Sequence, residues 1–282
     1  MRRRHLFELE DQSWFPATIR DLTTDYLHFT QTATSLHEAM TPLIREALEA
    51  ADTTRIVDLC SGGSGPLPAL IEELGSSGTR ATATLTDLFP NLPAFERTAA
   101  ASNGAIGYVR TPVDARAVPR ELTGLRTLFN GFHHFRPDAA KAILADAARA
   151  RQPIAIFEAS RRSLTTIVPV LFMPIFVWLS TPFMRPFKWT RLFFTYLVPL
   201  VPLTCLWDGV VSQLRAYTPD ELQEMGRAAS TMEWRAGYKP FPHGPGQLTY
   251  LIGWPASAAT KTPAPRVRMN ANLHPSLEHR DS

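Results

Sequence analysis

Cysteine is scarce in this sequence of 282 residues, where only Cys60 and Cys205 occur. Two thiols cannot form the disulfide framework of a small secreted domain, and no group of cysteines and histidines has the spacing of a zinc site. The arginines at positions 2–4 are followed by acidic residues instead of the apolar segment of a secretory signal. We therefore predict a cytoplasmic protein that binds no metal.

The charges of the chain nearly balance, with 29 Lys and Arg residues against 26 Asp and Glu residues. Because no dense basic run follows residues 2–4, this small excess does not indicate a nucleic-acid partner. Hydrophobic residues make up 45% of the chain and charged residues 20%, which excludes wholesale disorder and allows a sizeable core. The length fits one large domain, or one domain with an inserted subdomain.

Short apolar runs alternate with helical patterns from residue 55 onward, which is typical of a mostly parallel sheet with helices on both faces. We therefore predict an α/β fold with a doubly wound sheet. The predicted strands are 55–60, 81–88, 106–114, 125–129, 154–157, 232–238 and 248–254. The predicted parts of the chain are N-terminal helices at 1–54, an α/β core at 55–160, an apolar helical insertion at 161–216, the C-terminal part of the core at 217–255 and a disordered tail at 256–282.

A turn of small residues follows the first predicted strand. Asp58 ends that strand, and Ser61, Gly62 and Gly63 lead into a helix. Small residues let a backbone approach a ligand closely, and the N-terminus of a helix offers free N–H groups. The dinucleotide fingerprint G-x-G-x-x-G is not matched, so the turn does not predict binding of a nicotinamide dinucleotide.

Acidic residues end the first three predicted strands, at Asp58, Asp87 and Asp114. Ligands of doubly wound sheets bind at the carboxyl ends of the strands. A carboxylate after the second strand can accept both hydroxyl groups of a ribose, and one after the third strand can accept from the amine of an adenine. The pattern therefore predicts an adenosine-containing ligand.

These segments resemble the class I S-adenosylmethionine-dependent methyltransferases over about residues 55–255. VDLCSGGSGP is similar to the first motif of that family, although Cys60 and Ser64 occupy positions that are usually glycine. The resemblance implies S-adenosylmethionine as cofactor and a Rossmann-like sheet of seven strands with the last one antiparallel. It also implies a set of cofactor-binding residues: Asp58, Ser61, Gly62, Gly63, Asp87, Leu88, Asp114, Ala115 and Asn130.

His133 and His134 follow the fourth predicted strand and are the candidate catalytic residues. Histidine is well suited to deprotonate an acceptor near neutral pH, and the pair resembles one found after this strand in many small-molecule methyltransferases. In that wider group the second histidine is often structural. A capping or hydrogen-bonding role for either residue therefore stays open.

The insertion contains two apolar runs, 164–184 and 192–207, neither of which has a charged residue. Their length raises the question of a membrane span, but prolines interrupt both runs, and Arg185, Lys188 and Arg191 lie between them. We expect a helical lid over a hydrophobic substrate; association with a membrane surface through 164–207 and true spanning are the alternatives. The aromatic residues expected to line the lid are Phe172, Phe176, Trp178, Phe183, Phe187, Trp189, Phe193, Phe194 and Tyr196.

The sequence thus predicts a methyltransferase whose partner is a small hydrophobic substrate. Two alternatives stay open: a membrane-associated enzyme acting on a lipid or quinone-like molecule, and a non-catalytic cofactor-binding partner protein. The acceptor, the atom that is methylated and the oligomeric state are not specified by any of these patterns.

Overall fold

The structure is a computed structural model that describes residues 1–229, 232–243 and 246–255. The predicted disordered tail at 256–282 lies outside the described residues. The strands are β1 (Arg55–Asp58), β2 (Thr82–Leu85), β3 (Ile106–Tyr108), β4 (Leu125–Phe129), β5 (Ile154–Glu158), β6 (Glu233–Pro240) and β7 (Gln247–Trp254). The α-helices are α1 (Ala17–Ala33), α2 (Leu36–Ala50), α3 (Leu67–Ser76), α4 (Leu92–Ala101), α5 (Pro137–Arg149), α6 (Leu164–Val170), α7 (Met173–Ser180), α8 (Trp189–Leu192), α9 (Leu200–Arg215) and α10 (Pro219–Ala229).

All seven strands form one sheet in the order β3-β2-β1-β4-β5-β7-β6. The strands β1 to β5 pair in parallel, whereas β7 is antiparallel to both of its neighbours, β5 and β6. The prediction of a doubly wound sheet with seven strands and an antiparallel last strand is confirmed. The strand order reverses between β1 and β4, which is the point where such sheets bind their ligands.

Two hydrophobic clusters cover the two faces of the sheet. One contains the apolar sides of α2 and α3, with Met40, Ile44 and Leu70 fully buried. The other contains α5 and α10. The apolar residues of α5 recur on one side of the helix, which is why Ile143 and Leu144 are buried while its other side remains accessible. Both faces are therefore closed, and the carboxyl edge of the parallel strands is left for a ligand.

Three of the predicted strands are too long, and the first of them ends at Asp58 instead of residue 60. The second strand ends at Leu85, so Asp87 lies in the following loop, and the third ends at Tyr108, well before Asp114. The strand β3 is at the edge of the sheet, and Pro112 offers no backbone N–H for a ladder. The chain nevertheless returns to the sheet edge, where Val113 N donates to Asp87 O over 2.8 Å. This contact brings Asp114 beside Asp87 without a continuous strand.

The insertion forms short helices that pack against α1. A third cluster joins Ile19, Leu22 and Tyr26 of α1 to Val177 of α7 and Cys205 of α9. Within the described residues, no single helix is both long enough and apolar enough to cross a membrane.

Candidate active site

The loops after β1 and β4 meet where the strand order reverses. A Cβ placed on Gly131 would lie 3.6 Å from the Cβ of Cys60, so the two loops are in van der Waals contact. A Cβ placed on Gly62 would have no neighbour within 4 Å. The turn after β1 is therefore supported on the β4 side and open at Gly62, where a ligand has room to approach.

The turn after β1 keeps a glycine-like backbone at both positions where the resemblance departs from glycine. Cys60 has φ 57° and Ser64 has φ 81°. Residues other than glycine rarely adopt this left-handed backbone conformation, because it brings the Cβ close to the carbonyl oxygen. Cys60 and Ser64 thus adopt the backbone conformation that glycine adopts most readily.

Asp87 joins the loop after β2 to this turn. Its Oδ2 accepts a hydrogen bond from Gly62 N over 2.9 Å, and its Oδ1 accepts one from Phe89 N over 2.8 Å. A carboxylate has about four lone-pair positions, so these two bonds leave acceptor capacity. Leu88, the next residue, is exposed. Asp87 is therefore both fixed in position and able to accept hydrogen bonds from a ligand.

Asp58 lies beneath the turn and is almost fully buried. Its Oδ1 accepts a hydrogen bond from Thr127 Oγ1 over 2.7 Å, which ties β1 to β4. Burial raises the pKa of Asp58 to about 7. This placement favours a supporting role for Asp58 beneath the loop over direct contact with a ligand.

The carboxylate of Asp114 forms an ion pair with a neighbouring arginine, Arg116. Both carboxylate oxygens of Asp114 receive hydrogen bonds from Arg116, the shortest over 2.6 Å, and this contact lowers the pKa of Asp114. The neighbouring Ala115 is buried. A ligand amine would have to share the carboxylate with Arg116.

The charges of three carboxylates act on the thiol of Cys60. Burial raises the pKa of Cys60, and the negative charges of Asp87, Asp58 and Asp114 raise it further. Asp58 ends its strand, whereas Asp87 and Asp114 lie in the loops after theirs. All three acids lie at the same edge of the sheet. Ser61 and Gly63 complete this part of the edge: Ser61 Oγ donates to Asp58 O, and Gly63 packs near Thr24 of α1.

Asn130 follows β4 directly and has φ 52°, a conformation that asparagine tolerates better than most residues. Its Oδ1 accepts a hydrogen bond from Ala159 N over 2.7 Å. The side chain therefore joins the ends of β4 and β5, at the same sheet edge as Asp58 and Asp87.

His133 is buried and held by Glu158 at the end of β5. Its Nδ1 lies 2.6 Å from Glu158 Oε2, while Glu158 Oε1 accepts hydrogen bonds from the backbone N–H groups of Phe132 and His133. Burial acts to raise the pKa of Glu158, but the charge of His133 and these hydrogen bonds outweigh it, so the pKa is lowered. The carboxylate of Glu158 fixes the histidine turn on the sheet.

His134 is more accessible and is oriented by two carboxylates of the N-terminal segment. Its Nδ1 lies 2.9 Å from Asp11 Oδ1 and 3.2 Å from Glu8 Oε2. Arg215, at the end of α9, contacts both acids, at 2.7 Å from Asp11 Oδ2 and 3.3 Å from Glu8 Oε1. Glu8, Asp11 and Arg215 are site residues that the sequence analysis missed. No spacing in the sequence relates positions 8 and 11 to 134 and 215.

Glu8, His133 and His134 also place three potential metal-ligand atoms within 4.8 Å of one another. Arg215 Nη1 lies 3.4 Å from His134 Nδ1 and close to Glu8, so its guanidinium already supplies a positive charge beside these atoms. Repulsion from this guanidinium argues against assigning the group as a metal site.

The N-terminal segment contains a buried carboxyl group in an electrostatically unfavourable position, that of Glu10. Its Oε1 is buried without a hydrogen-bond partner among the described residues. Burial raises the pKa of Glu10 to about 8, and the nearby charges of Asp208 and Glu8 add to the effect. Asp208 itself accepts the backbone N–H groups of Leu9 and Glu10, at 2.7 and 3.1 Å, so it holds the segment on α9.

We expect Glu10→Gln to stabilise the protein in alkaline solution. The pKa of this carboxyl is raised in the folded state. Its contribution to stability is therefore fully present at pH values below its ordinary pKa of 4.5 and is lost as the pH rises through about 8. The variant should therefore match the wild type at pH 4.5 and exceed its free energy of unfolding by about 2–4 kcal/mol at pH 9. Urea unfolding at both pH values measures the difference. Glu49→Gln, at an exposed position of α2, is the control, and an equal gain there would contradict the explanation.

A cavity of about 1120 Å³ lies beside Gly63. It is bordered by α1, α3 and α4 and by Arg185 and Lys188 of the insertion. Neither Asp87 nor the histidine pair lines it.

No protein-family model matches the chain, and no curated protein matches it. Among solved structures, the pyocyanin biosynthetic protein PhzM is 13% identical, with a TM-score of 0.48 over 80% of this chain and 56% of PhzM. Human N-acetylserotonin methyltransferase, solved with SAM, is 15% identical, with a TM-score of 0.47 over 87% of this chain and 60% of the human protein. The methyltransferase domain of bacterial CtHen1-CN is 12% identical, with a TM-score of 0.45 over 77% of this chain and 98% of that domain. The chain thus spans less than two thirds of the first two proteins.

These identities and TM-scores are low, so the assignment of the fold rests on the strand order. The order β3-β2-β1-β4-β5-β7-β6 has five parallel strands and an antiparallel last strand, and the resemblance implied seven strands with the last one antiparallel. The protein has the Rossmann-like fold of the class I S-adenosylmethionine-dependent methyltransferases.

Proposed function

We propose that the protein transfers a methyl group from S-adenosylmethionine to a small hydrophobic acceptor. The observation that carries this proposal is the position of Asp87. It lies at the reversal point of the sheet, bonded to Gly62 of an open turn, and it retains acceptor capacity. A fixed carboxylate beside a small-residue turn at this edge suits the ribose of an adenosine cofactor.

The residues at the edge fit this cofactor. Asp87 would accept from the ribose hydroxyls, and the backbone of Ser61–Gly63 would face the cofactor across the open space at Gly62. Asp114 and Ala115 would border the adenine, with Asp114 shared with Arg116. Asn130 would line the β4 side, and Asp58 would support the turn from below.

When bound, S-adenosylmethionine supplies an electrophilic methyl group on a sulfonium. The chain must then position an acceptor for in-line approach and, where the acceptor is a hydroxyl or amine, remove its proton. His134 is the better candidate base, because Asp11 and Glu8 orient its Nδ1 while about a third of its side chain is exposed. His133 is the positioning residue, since Glu158 holds it in the interior.

We expect His134→Asn to lower kcat by about 100-fold or more, the usual contribution of a positioned base. An asparagine amide can replace the Nδ1 donor to Asp11 but has no group at the position of Nε2. Affinity for S-adenosylmethionine should stay within about twofold, because Asp87 and the turn are unchanged. A variant with wild-type kcat would show that His134 is not the base of the reaction.

The proposal is tested with S-[methyl-³H]adenosylmethionine and a panel of hydrophobic phenols, hydroquinones and amines. Label is expected in an organic-soluble product with the wild type and is expected to be lost with Asp87→Asn. Binding of S-adenosylmethionine without label transfer to any member of the panel would favour the non-catalytic partner protein instead.

A further inference from the structure

The insertion presents an unusually apolar surface. Eight of the nine aromatic residues expected to line a lid are exposed, the exception being Phe194. Phe183 and Trp189 are 73% and 78% exposed. The "apolar surface" is defined by the exposed side chains Leu164, Val168, Leu171, Phe172, Ile175, Phe176, Trp178, Leu179, Phe183, Phe187, Trp189, Phe193, Tyr196, Leu197, Val198, Leu200, Leu203 and Trp207.

Only one side of the insertion packs against the rest of the protein. In α7, Val177 is buried in the cluster with α1, whereas Phe176, Trp178 and Leu179 are exposed. A helix that is apolar on all sides belongs in a protein interior or in lipid. Large exposed apolar patches on proteins mark interaction sites.

Three polar aromatic side chains of the apolar surface, Trp178, Tyr196 and Trp207, are hydrogen-bonded within the protein. Trp178 Nε1 donates to Thr195 O over 2.9 Å, and Tyr196 OH donates to Trp178 O over 2.7 Å. Trp207 Nε1 donates to Phe7 O over 3.0 Å. These rings can therefore enter a hydrocarbon layer without burying an unpaired donor, which would cost about 1–3 kcal/mol each.

The charges of the insertion are all basic from residue 161 to residue 207. Lys188 and Arg191 are paired with Asp25 of α1. Arg185 is exposed and has no ion pair among the described residues. It lies between Phe183 and Phe187, so a free cation sits within the most exposed aromatic stretch. This charge complements anionic lipid headgroups and opposes a second copy of the same basic stretch.

The helices are too short and too bent for a straight span. Leu164–Val170 and Met173–Phe183 together have the length and composition of a span but are bent by 46°, and Trp189–Leu197 with Leu200–Arg215 is bent by 75°. Short apolar helices flanked by cations and aromatic residues are suited to lie in the interface of a bilayer.

We propose that the apolar surface docks the protein on the surface of an anionic lipid bilayer, with residues 183–189 as the leading loop. The cavity beside Gly63 is also bordered by Arg185 and Lys188, so the leading loop and the turn after β1 border the same cavity. The docking does not depend on the proposed methyl transfer, because it uses different residues.

The test is co-flotation with vesicles of phosphatidylcholine, with and without about 30 mol% phosphatidylglycerol, in the absence of S-adenosylmethionine. The wild type is expected to float with both and to bind the anionic vesicles more tightly. The double substitution Phe183→Ser with Trp189→Ser should weaken binding to both by about tenfold or more. Arg185→Ala should weaken binding about fivefold, to the anionic vesicles only.

Two controls match these substitutions. Leu27→Ser changes an exposed apolar residue of α1, and Arg120→Ala removes an exposed cation from the loop between β3 and β4. Both should bind as the wild type does. Because Phe183 and Trp189 are exposed, the double variant should keep the thermal unfolding midpoint of the wild type.

Failure of the wild type to float with either vesicle would overturn the proposal. So would a dimer, seen by sedimentation without lipid, that the double variant dissociates while neither protein binds vesicles. Quenching of tryptophan fluorescence by brominated lipids gives an independent readout. Quenching that is reduced by Trp189→Phe supports insertion of the leading loop, and absence of quenching in the wild type contradicts it.

Discussion

Asparagine at position 87 is expected to weaken binding of S-adenosylmethionine by about 1.5–3 kcal/mol, or roughly ten- to a hundredfold in Kd. The amide oxygen can still accept from Gly62 N, so the turn after β1 should keep its path. What is lost is the negative charge, the hydrogen bond from Phe89 N and one of the two acceptor oxygens that a ribose diol would use. Asn is therefore a cleaner test than Ala, which would also release the turn.

Isothermal titration of both proteins with S-adenosylmethionine measures this effect. Glu96→Gln is the matched control, because Glu96 is an exposed carboxylate of α4 that pairs with Arg110 outside the sheet edge. The control should bind as the wild type does. Equal affinity of Asp87→Asn and wild type, with both folded, would remove Asp87 from the cofactor site.

The largest loss of stability is expected from Asp146→Ala. Arg126 of β4 is 1% exposed, and its Nη1 lies 2.8 Å from Asp146 Oδ2 of α5. Removal of the carboxylate leaves a buried guanidinium without its counter-ion, which typically costs about 3–5 kcal/mol. The same oxygen accepts from Val118 N over 3.2 Å, so that loop would lose a bond as well.

A second substitution separates charge from packing. Adding Arg126→Met to Asp146→Ala removes the unpaired cation and leaves an apolar chain of similar length. We expect this double variant to recover more than half of the loss in urea unfolding experiments, since buried pairs can be replaced by apolar residues with little penalty. A double variant as unstable as Asp146→Ala would show that the cost comes from the cavity instead of the charge.

The number of strands and the antiparallel direction of the last one were accessible from the sequence, but most strand ends were not. The runs before Asp58 and in 125–129 are short and bounded by turn residues, and β4 follows the prediction at both ends. Asp114 was assigned to the end of the third predicted strand, 106–114, whereas β3 ends at Tyr108. The loop returns to the sheet through the backbone bond of Val113 to Asp87, and no local pattern encodes such a contact.

The helix α4 was not predicted, although it has a recognisable start. Asn91 caps it by accepting a hydrogen bond from Ala94 N over 3.2 Å, and Pro93 occupies its first turn. Only Ala94 and Phe95 are buried, so the apolar periodicity that reveals most helices is weak here.

The surroundings of the histidine pair depend on contacts between distant segments. Position 134 could be identified as a candidate from its place after β4, but its partners Asp11, Glu8 and Arg215 come from the two ends of a long stretch of chain. The N-terminal segment has no regular periodicity before α1, and its contacts are made by side chains to α9 and by backbone groups to Asp208. Charge spacing in the sequence cannot predict pairs of this kind.

The central claim is that the edge of the sheet at Asp87 binds an adenosine cofactor of the S-adenosylmethionine type. Native mass spectrometry of the wild-type protein, mixed with equimolar S-adenosylhomocysteine and NADH, tests this claim most directly. We predict a single adduct with the mass of S-adenosylhomocysteine, strongly reduced in Asp87→Asn, and no adduct of NADH, because the turn lacks the glycine spacing that a pyrophosphate requires. An NADH adduct, or no adduct of either compound on the folded wild type, would contradict the account.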